Sequence, residues 1–395
     1  MASKTLTVAT KDNLNRALRR AKSAKNDEFY TRMPDIAGEC AHYKDQFKGK
    51  VIFCGCDDHK KSNFYKFFKQ NSKALGIKRV VCSGVENAST MKGSYLEFDG
   101  KNETIIEDCD GKFQTNIQKV VEKYGAENVV FVTNPPFSLF RELIDILVKY
   151  NVKFLILGNG NAITYKEVFH LIKDDKIRLG YKSLTSRAWY VVPNGNKFEK
   201  IVDGEPCFHV DNSCWFTNLK VDVAAKCALA KFMFDFCKPD TLESYYELSE
   251  DERNEKYPKY DNYDAINIDK CQDIPGDYFG VIGVPISFLY YLDPTVWDIV
   301  AFRKGNDGKD LVFTRERERE FNRTFVSLCN EHPRDDKEQR WKNQWENYLR
   351  SHHNSSEATP IDCFHPLLLD GLMNNPKDTT VDGKSKYARV LIQRC

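Results

Sequence analysis

Four short, almost uninterrupted apolar runs alternate with amphipathic stretches up to about residue 160, and that alternation restricts the fold more than any other feature. The runs are KVIFC (50–54), RVVCSG (79–84), VVFVTN (129–134) and KFLILGN (153–159). Between them, 62–75 carries Phe64, Phe67 and Phe68 at helical spacing, and 139–150 is a second helical stretch. A strand that is apolar along both faces has to be covered on both, which is the condition of a parallel sheet between layers of helices. In such α/β folds ligands lie outside the carboxyl ends of the strands. The segments to inspect are therefore 54–58, 84–87, 134–137 and 158–161.

The remainder has a different texture. After residue 187, RAWYVV, CFHV and CWFTNLKV read as aromatic strands with turn residues between them. The stretch 241–263 is acidic and aromatic, a helix with a loop. GVIGVPISFLYYL (280–292) returns to apolar, and KYARVLIQR reads as a last strand. Between these, 315–350 opens with RERERE and carries Trp341 and Trp345 at i, i+4. Alternating Arg and Glu satisfy one another along a helix, so its net field is small. It reads as a peripheral insertion for packing or for a partner protein. His352 and His353, in the loop-like HHNSS, are not taken as metal ligands. Near the N-terminus, Leu14, Ala17, Leu18 and Ala21 line one side of a basic amphipathic helix (12–24).

Composition narrows the class further. Lys plus Arg (59) nearly balances Asp plus Glu (57), so a nucleic-acid or membrane partner has to be met by local patches. No run approaches the roughly 20 apolar residues of a membrane span, and the N-terminus has no apolar signal core. The 13 cysteines are odd in number and show no paired CxxC spacing, as expected of reduced thiols in a cytoplasmic protein, or a nuclear one in a eukaryote. No metal site is expected.

Asn134-Pro135-Pro136-Phe137, directly after VVFVT, carries the strongest chemical signal. Two successive prolines donate no backbone hydrogen bonds and fix an extended, rigid turn. At the carboxyl edge of a parallel strand, they would hold an Asn side-chain oxygen and backbone carbonyls together. Acceptors without donors suit an exocyclic amine that must become pyramidal to act as a nucleophile, and Phe137 offers a face for its ring.

Asn-Pro-Pro-aromatic resembles the catalytic signature of amino-methyltransferases that use S-adenosylmethionine. Phe53-x-Gly55 resembles the first half of their FxGxG cofactor loop, here Phe53, Cys54, Gly55 and then Asp57 in place of the second glycine. KNDEFYT (25–31) is similar to the N-terminal cofactor motif of many adenine methyltransferases, with Lys25, Asp27, Phe29 and Tyr30 as contacts. Glu86, beyond the second strand, stands where an acid takes the ribose hydroxyls, being a bidentate acceptor for two donors. Asp108 or Asp110, with Phe113, is expected at the adenine edge and face.

KNDEFYT, FCGCDD with SNF behind it, TNPPF, ILGNGNAIT, WYVVP, WFTNL, YDNYDAINI and IPGDYFGVIGVPISFL together resemble the EcoRI-type adenine-specific DNA methyltransferases, over about 15–302 and again at 383–394. The resemblance implies a Rossmann-like class I S-adenosylmethionine-dependent methyltransferase fold with a mostly parallel sheet and a target-recognition region. It implies N6-methylation of a flipped-out adenine in a specific sequence of double-stranded DNA; a monomer is favoured, and a cognate restriction endonuclease is a candidate partner that the sequence leaves open. Asn134, Pro135, Pro136 and Phe137 become the catalytic contacts. Arg178, Lys182 and Arg187 are expected to meet phosphates and bases. The expected division is an N-terminal helix and core (1–180), the rest of the sheet with target recognition (181–310), the charged insertion (311–360) and a C-terminal segment (361–395). Cytosine-N4, RNA or protein-glutamine methylation, or a DNA-binding module without turnover, are the alternatives open at this point.

Overall fold

The computed structural model describes residues 30–87, 89–182, 188–192, 198–210, 212–229, 242–260, 264–302, 380–381, 384–386 and 389–395. The basic stretch 12–24, Lys25, Asp27, Phe29, Arg187, the charged segment 315–350 and His352–His353 lie outside the described residues. The chain divides into two compact units, one from the stretches up to Gly160 and Ile177–Val221, the other from Asn161–Lys176 and Asp222 onward.

The first unit is built on an eight-stranded sheet. Its strands are β1 (Val51–Cys54), β2 (Arg79–Asn87), β3 (Lys92–Phe98), β4 (Glu103–Asp110), β5 (Val129–Thr133), β6 (Lys153–Asn159), β7 (Arg178–Leu179) and β8 (Ser213–Thr217). Their spatial order is β4-β3-β2-β1-β5-β6-β8-β7. β2, β1, β5 and β6 pair in parallel, which are the four runs picked out by their apolarity. The flanks are antiparallel: β3 and β4 form a hairpin on β2, and β8 runs against both β6 and β7. The sheet is thus mixed, with a parallel centre.

The hairpin leaves no buried-strand pattern in the sequence, because β4 is exposed along most of its length and lacks an apolar run. A turn signal was present. Asp99 Oδ1 accepts from the backbone N–H of Lys101 (2.9 Å) and Asn102 (2.7 Å), and Gly100 takes the positive φ of 98° that the turn requires.

Helices cover the sheet by burying one stripe each. α1 (Met33–Cys40) starts with a proline in its first turn, where no N–H partner is lost. Ser62 caps α2 (Asn63–Asn71), its hydroxyl accepting from the N–H of Phe64 (3.1 Å) and Tyr65 (3.3 Å). α3 (Phe113–Tyr124) buries Phe113, Asn116, Ile117 and Val120, and α4 (Phe140–Lys149) buries Phe140, Leu143, Ile144 and Leu147. Both sets follow the i, i+3, i+4, i+7 spacing of a single helix face. Full burial of each apolar side chain among them contributes roughly 1.5–3 kcal/mol relative to exposure.

Two buried carboxylates tie the layers together. Glu39 of α1 accepts from the Tyr43 hydroxyl (3.0 Å) and from the N–H groups of Tyr181 (2.7 Å) and Lys182 (2.9 Å). Glu97 of β3 accepts from Lys123 (2.8 and 2.9 Å) and from the hydroxyls of Tyr95 and Tyr124 (both 2.8 Å). Burial alone would raise the Glu97 pKa; these donors outweigh it and hold the carboxyl below its usual range. A smaller antiparallel sheet joins Tyr30–Thr31 to Ala188–Val191, Glu205–Val210 and Lys200–Val202.

In the second unit, Arg389–Arg394 lies between Val281–Pro285 and Trp297–Phe302, with Ala265–Asn267 at the edge. The C-terminal strand is therefore an inner strand. Helix Lys166–Lys173 is tied to this sheet by stacking of Phe169 on Phe302 (4.8 Å) and by Lys173 donating to the Val300 carbonyl (3.0 Å). Among the described residues no helix is long and apolar enough to cross a membrane.

The order of the parallel strands decides where a ligand fits. From β1 the chain steps outward to β2, then returns to place β5 on the other side of β1. The direction of winding reverses between β1 and β5, and the loops leaving their carboxyl ends diverge to open a crevice. Those loops are 55–58 and 134–137.

Candidate active site

Asp57 organises this crevice. Its carboxylate accepts from Ser62 Oγ through Oδ1 and from Thr133 Oγ1 through Oδ2, both at 2.6 Å. Its N–H donates to the Ser83 carbonyl (3.0 Å), and its own carbonyl accepts from the Cys82 thiol (3.2 Å). One buried residue thus joins the ends of β1, β2 and β5 to the capped start of α2. Burial pushes the Asp57 carboxyl up from 3.8 to about 6, against the pull of the two hydroxyl donors.

Close backbone approach shapes the rest. A side chain at Gly84 would meet the Asp57 backbone at 2.8 Å, and one at Gly111 would meet the Gly84 carbonyl at 2.5 Å. The glycines let the 55–58 loop and the 110–113 segment both press against the end of β2. Asp110, half-buried, accepts from the Lys112 N–H (3.0 Å) at the start of α3, and Phe113 is buried behind it. Glu86 is exposed at the end of β2, and its carboxylate lies within 4.8 Å of ligand atoms of Asp58 and His59. Lys60 is 3.9 Å from Glu86, and His59 Nδ1 is 3.0 Å from Ser94 Oγ.

The catalytic candidates follow β5 without a break. Pro135 is buried; Asn134, Pro136 and Phe137 are half-buried, and the Asn134 Oδ1 atom itself is shielded from solvent. The Leu139 N–H donates to the Pro136 carbonyl (2.9 Å), closing the short turn into α4.

The other predicted residues are placed as follows. Phe53 and Cys54 are core side chains, Phe53 packing edge-on against Phe131 at 5.1 Å, so this strand end presents Cys56 and Asp58 at its surface. Burial holds the Cys54 thiol protonated. Gly55 is required where it stands, since a side chain there would run into the Phe131 ring at 2.3 Å. Tyr30 pairs with Val191 in the small sheet, and the neighbouring Thr31 carbonyl accepts from Asn63 Nδ2 (2.9 Å) at the start of α2. Asp108 sits on the exposed hairpin in an ion pair with Lys92 (2.7 Å). Arg178 is half-buried in β7, and Lys182 is engaged by Asp35 at 2.7 Å. Ser62 and Thr133 were absent from the sequence-based candidates. Their signals were a serine heading an apolar helix and a lone hydroxyl ending an otherwise apolar strand.

A profile described as "Adenine-specific methyltransferase EcoRI" matches residues 17–395, running through the charged segment. The type II methyltransferase M.EcoRI of Escherichia coli is 40% identical over 319 residues, covering 75% of this chain and 92% of that protein. The chain belongs to the EcoRI-type adenine-specific methyltransferase family. Two further relatives are the type II methyltransferases M.MpnI of Mycoplasma pneumoniae (36% over 289 residues) and M.MgeORF184P of Mycoplasma genitalium (33% over 287 residues). Each match covers 71% of this chain and 84% of the relative.

In this EcoRI-type methyltransferase the Asp57 carboxyl has a consequence for stability. Between about pH 4 and about pH 6 the folded chain holds a proton that the unfolded chain has released. The stabilisation it brings is full below the unfolded pKa and is lost as pH rises through about 6. Asp57→Asn removes that slope, as urea unfolding at a series of pH values from about 4 to about 7 would show. An unchanged slope in the variant would assign the titration to another group.

Proposed function

We propose that this methyltransferase moves a methyl group from S-adenosylmethionine to the N6 amine of an adenine flipped out of duplex DNA, at the turn Asn134–Phe137. The observation that carries the reading is the position of that turn. It leaves the parallel strand next to β1, at the point where the strand order reverses, beside a loop cradle edged with carboxylates. Four parallel strands with helices between them, ordered about that reversal, support the Rossmann-like class I assignment.

The donors and acceptors around the cradle support the proposed cofactor. Gly84 and Gly111 let the 55–58 and 110–113 segments press against the end of β2, and Gly55 leaves room for the Phe131 ring beneath the loop. Glu86 is an exposed bidentate acceptor for ribose hydroxyls, and Asp110 with Phe113 would take the adenine. The 55–58 loop, with Tyr30, would hold the methionine end. When bound, S-adenosylmethionine supplies an electrophilic methyl group on a sulfonium sulfur. Glu86→Ala is expected to weaken cofactor binding roughly tenfold or more, on the scale of losing hydrogen bonds to a charged group. Calorimetry that finds unchanged cofactor affinity would move the ribose contact elsewhere.

The adenine amine is a poor nucleophile because its lone pair is delocalised into the ring. Asn134 Oδ1 and the Pro135 carbonyl would accept its two N–H bonds, favouring a pyramidal nitrogen and holding it in line with the methyl group. The prolines keep competing donors away from this nitrogen. Flipping costs a few kcal/mol; stacking on Phe137 offsets this by roughly 1–3 kcal/mol.

Target recognition is assigned to the region 181–310, with phosphate and base contacts proposed for Arg178, Lys182 and Arg187. The Asp35 partner of Lys182 would have to release it on DNA binding. The test of the whole reading is transfer of a tritiated methyl group to DNA, RNA or protein, followed by sequencing of the modified DNA for N6-methyladenine. Label in RNA or protein alone, or in cytosine, would overturn it.

A further inference from the structure

The ladder between β1 and β5 stops at the pair Phe53–Phe131, two residues before Thr133. On the β1 side, the residue that precedes Asn134 is held through its side chain. Thr133 is fully buried, and its hydroxyl donates to Asp57 Oδ2 at 2.6 Å. The other carboxylate oxygen of Asp57 is occupied by Ser62, and its backbone is fixed to β2 through Ser83 and Cys82. Asp57 is therefore a rigid anchor rather than a loop side chain with freedom to follow its partner.

A threonine has two heavy substituents on Cβ, so fixing Oγ1 restricts the whole side chain and the chain direction at its Cα. On its other side Thr133 stays in the parallel ladder with Ile156 of β6, so the hydroxyl completes the hold from the β1 side. Pro135 and Pro136 carry no N–H with which to tie the turn to its neighbours.

We propose that Thr133 is a positioning residue for methyl transfer: its hydroxyl, anchored on Asp57, sets where Asn134 stands relative to the 55–58 loop. This rests on the reading of Asn134–Phe137 as the catalytic turn and of 55–58 as the cofactor loop. The same Asp57 residue belongs to the loop that would hold the methyl donor and is bonded to the residue preceding the group that would hold the acceptor. A shift of the turn against the loop changes the distance over which transfer occurs, while leaving the cofactor contacts of Glu86 and Asp110 in place.

The test uses the full-length chain, S-adenosylmethionine and a DNA duplex whose methylated adenine has been mapped by sequencing, under single-turnover conditions. Thr133→Val keeps the shape and removes the hydroxyl; Thr133→Ser keeps the hydroxyl and removes the methyl group. Thr133→Val is expected to slow transfer by about ten- to a hundredfold, the scale of a small misplacement of reacting groups. Cofactor affinity should stay within about threefold, and Thr133→Ser should restore the rate to within about threefold. In an Asn134→Ala background, Thr133→Val should add little, because the group it positions is gone. Should Thr133→Val fail to fold, Thr133→Ala replaces it in each comparison, removing the hydroxyl while leaving Asp57 and its bond to Ser62 in place.

An unchanged rate in Thr133→Val, equal losses in the Val and Ser variants, or a full additional loss in the Asn134→Ala background would each overturn the proposal. A loss confined to cofactor affinity would also overturn it, making the hydroxyl a support of the 55–58 loop alone. A wild-type chain that transfers no methyl group to DNA would instead sink the functional reading, and this proposal with it.

Discussion

Asn134→Ala retains cofactor binding and lowers methyl transfer by about two orders of magnitude or more, the scale of losing one transition-state hydrogen-bond partner in a preorganised site. The Asn134 oxygen is expected to matter more in the transition state than in the ground state. In the proposed geometry it would accept a hydrogen bond from a nitrogen that gains positive charge as the amine attacks. The backbone should tolerate the change, since Asn134 lies beyond the last residue of β5 and its side chain takes no part in the core. Single-turnover transfer measured beside calorimetric cofactor binding separates the two effects. Near-normal turnover would remove Asn134–Phe137 from the catalytic role.

Glu39→Ala is expected to cost about 2–4 kcal/mol of folding stability, from the loss of a buried carboxylate whose donors are left without acceptors. Three donors converge on this side chain, two of them backbone N–H groups of consecutive residues, Tyr181 and Lys182. A side chain at Gly180 would stand 2.2 Å from Glu39 Oε1, so the loop and the carboxylate are in close contact. Glu39→Gln keeps the volume and one acceptor oxygen and should lose roughly half as much. Urea unfolding of the two variants measures both. A midpoint unmoved by Glu39→Ala would mean that water takes over all three donors, contrary to the burial seen for Glu39.

The residues of the central layer could be read directly. Strands that are apolar on both faces have one stable surrounding, and the runs containing Ile52, Val81, Phe131 and Leu155 became the four parallel strands. The turn Asn134–Phe137 was also legible, because two prolines after an apolar run have few conformations available. The C-terminal KYARVLIQR also reads as a strand, yet the place of Arg389–Arg394 inside a sheet depends on pairing with Val281–Pro285 and Trp297–Phe302, far away in the chain.

What only the tertiary structure decided is which polar groups meet. Asp57 lies 76 positions before Thr133 and 5 before Ser62, and no local pattern announces that one carboxylate serves both hydroxyls. Nor does the acidic run 107–110 show that Asp108 pairs with Lys92 on the exposed hairpin while Asp110 lies at the start of α3. Apolar periodicity reports burial, which each residue experiences largely through its own face of a helix or strand. A hydrogen bond between distant residues depends on strand order and register, and those are settled only when the whole sheet assembles.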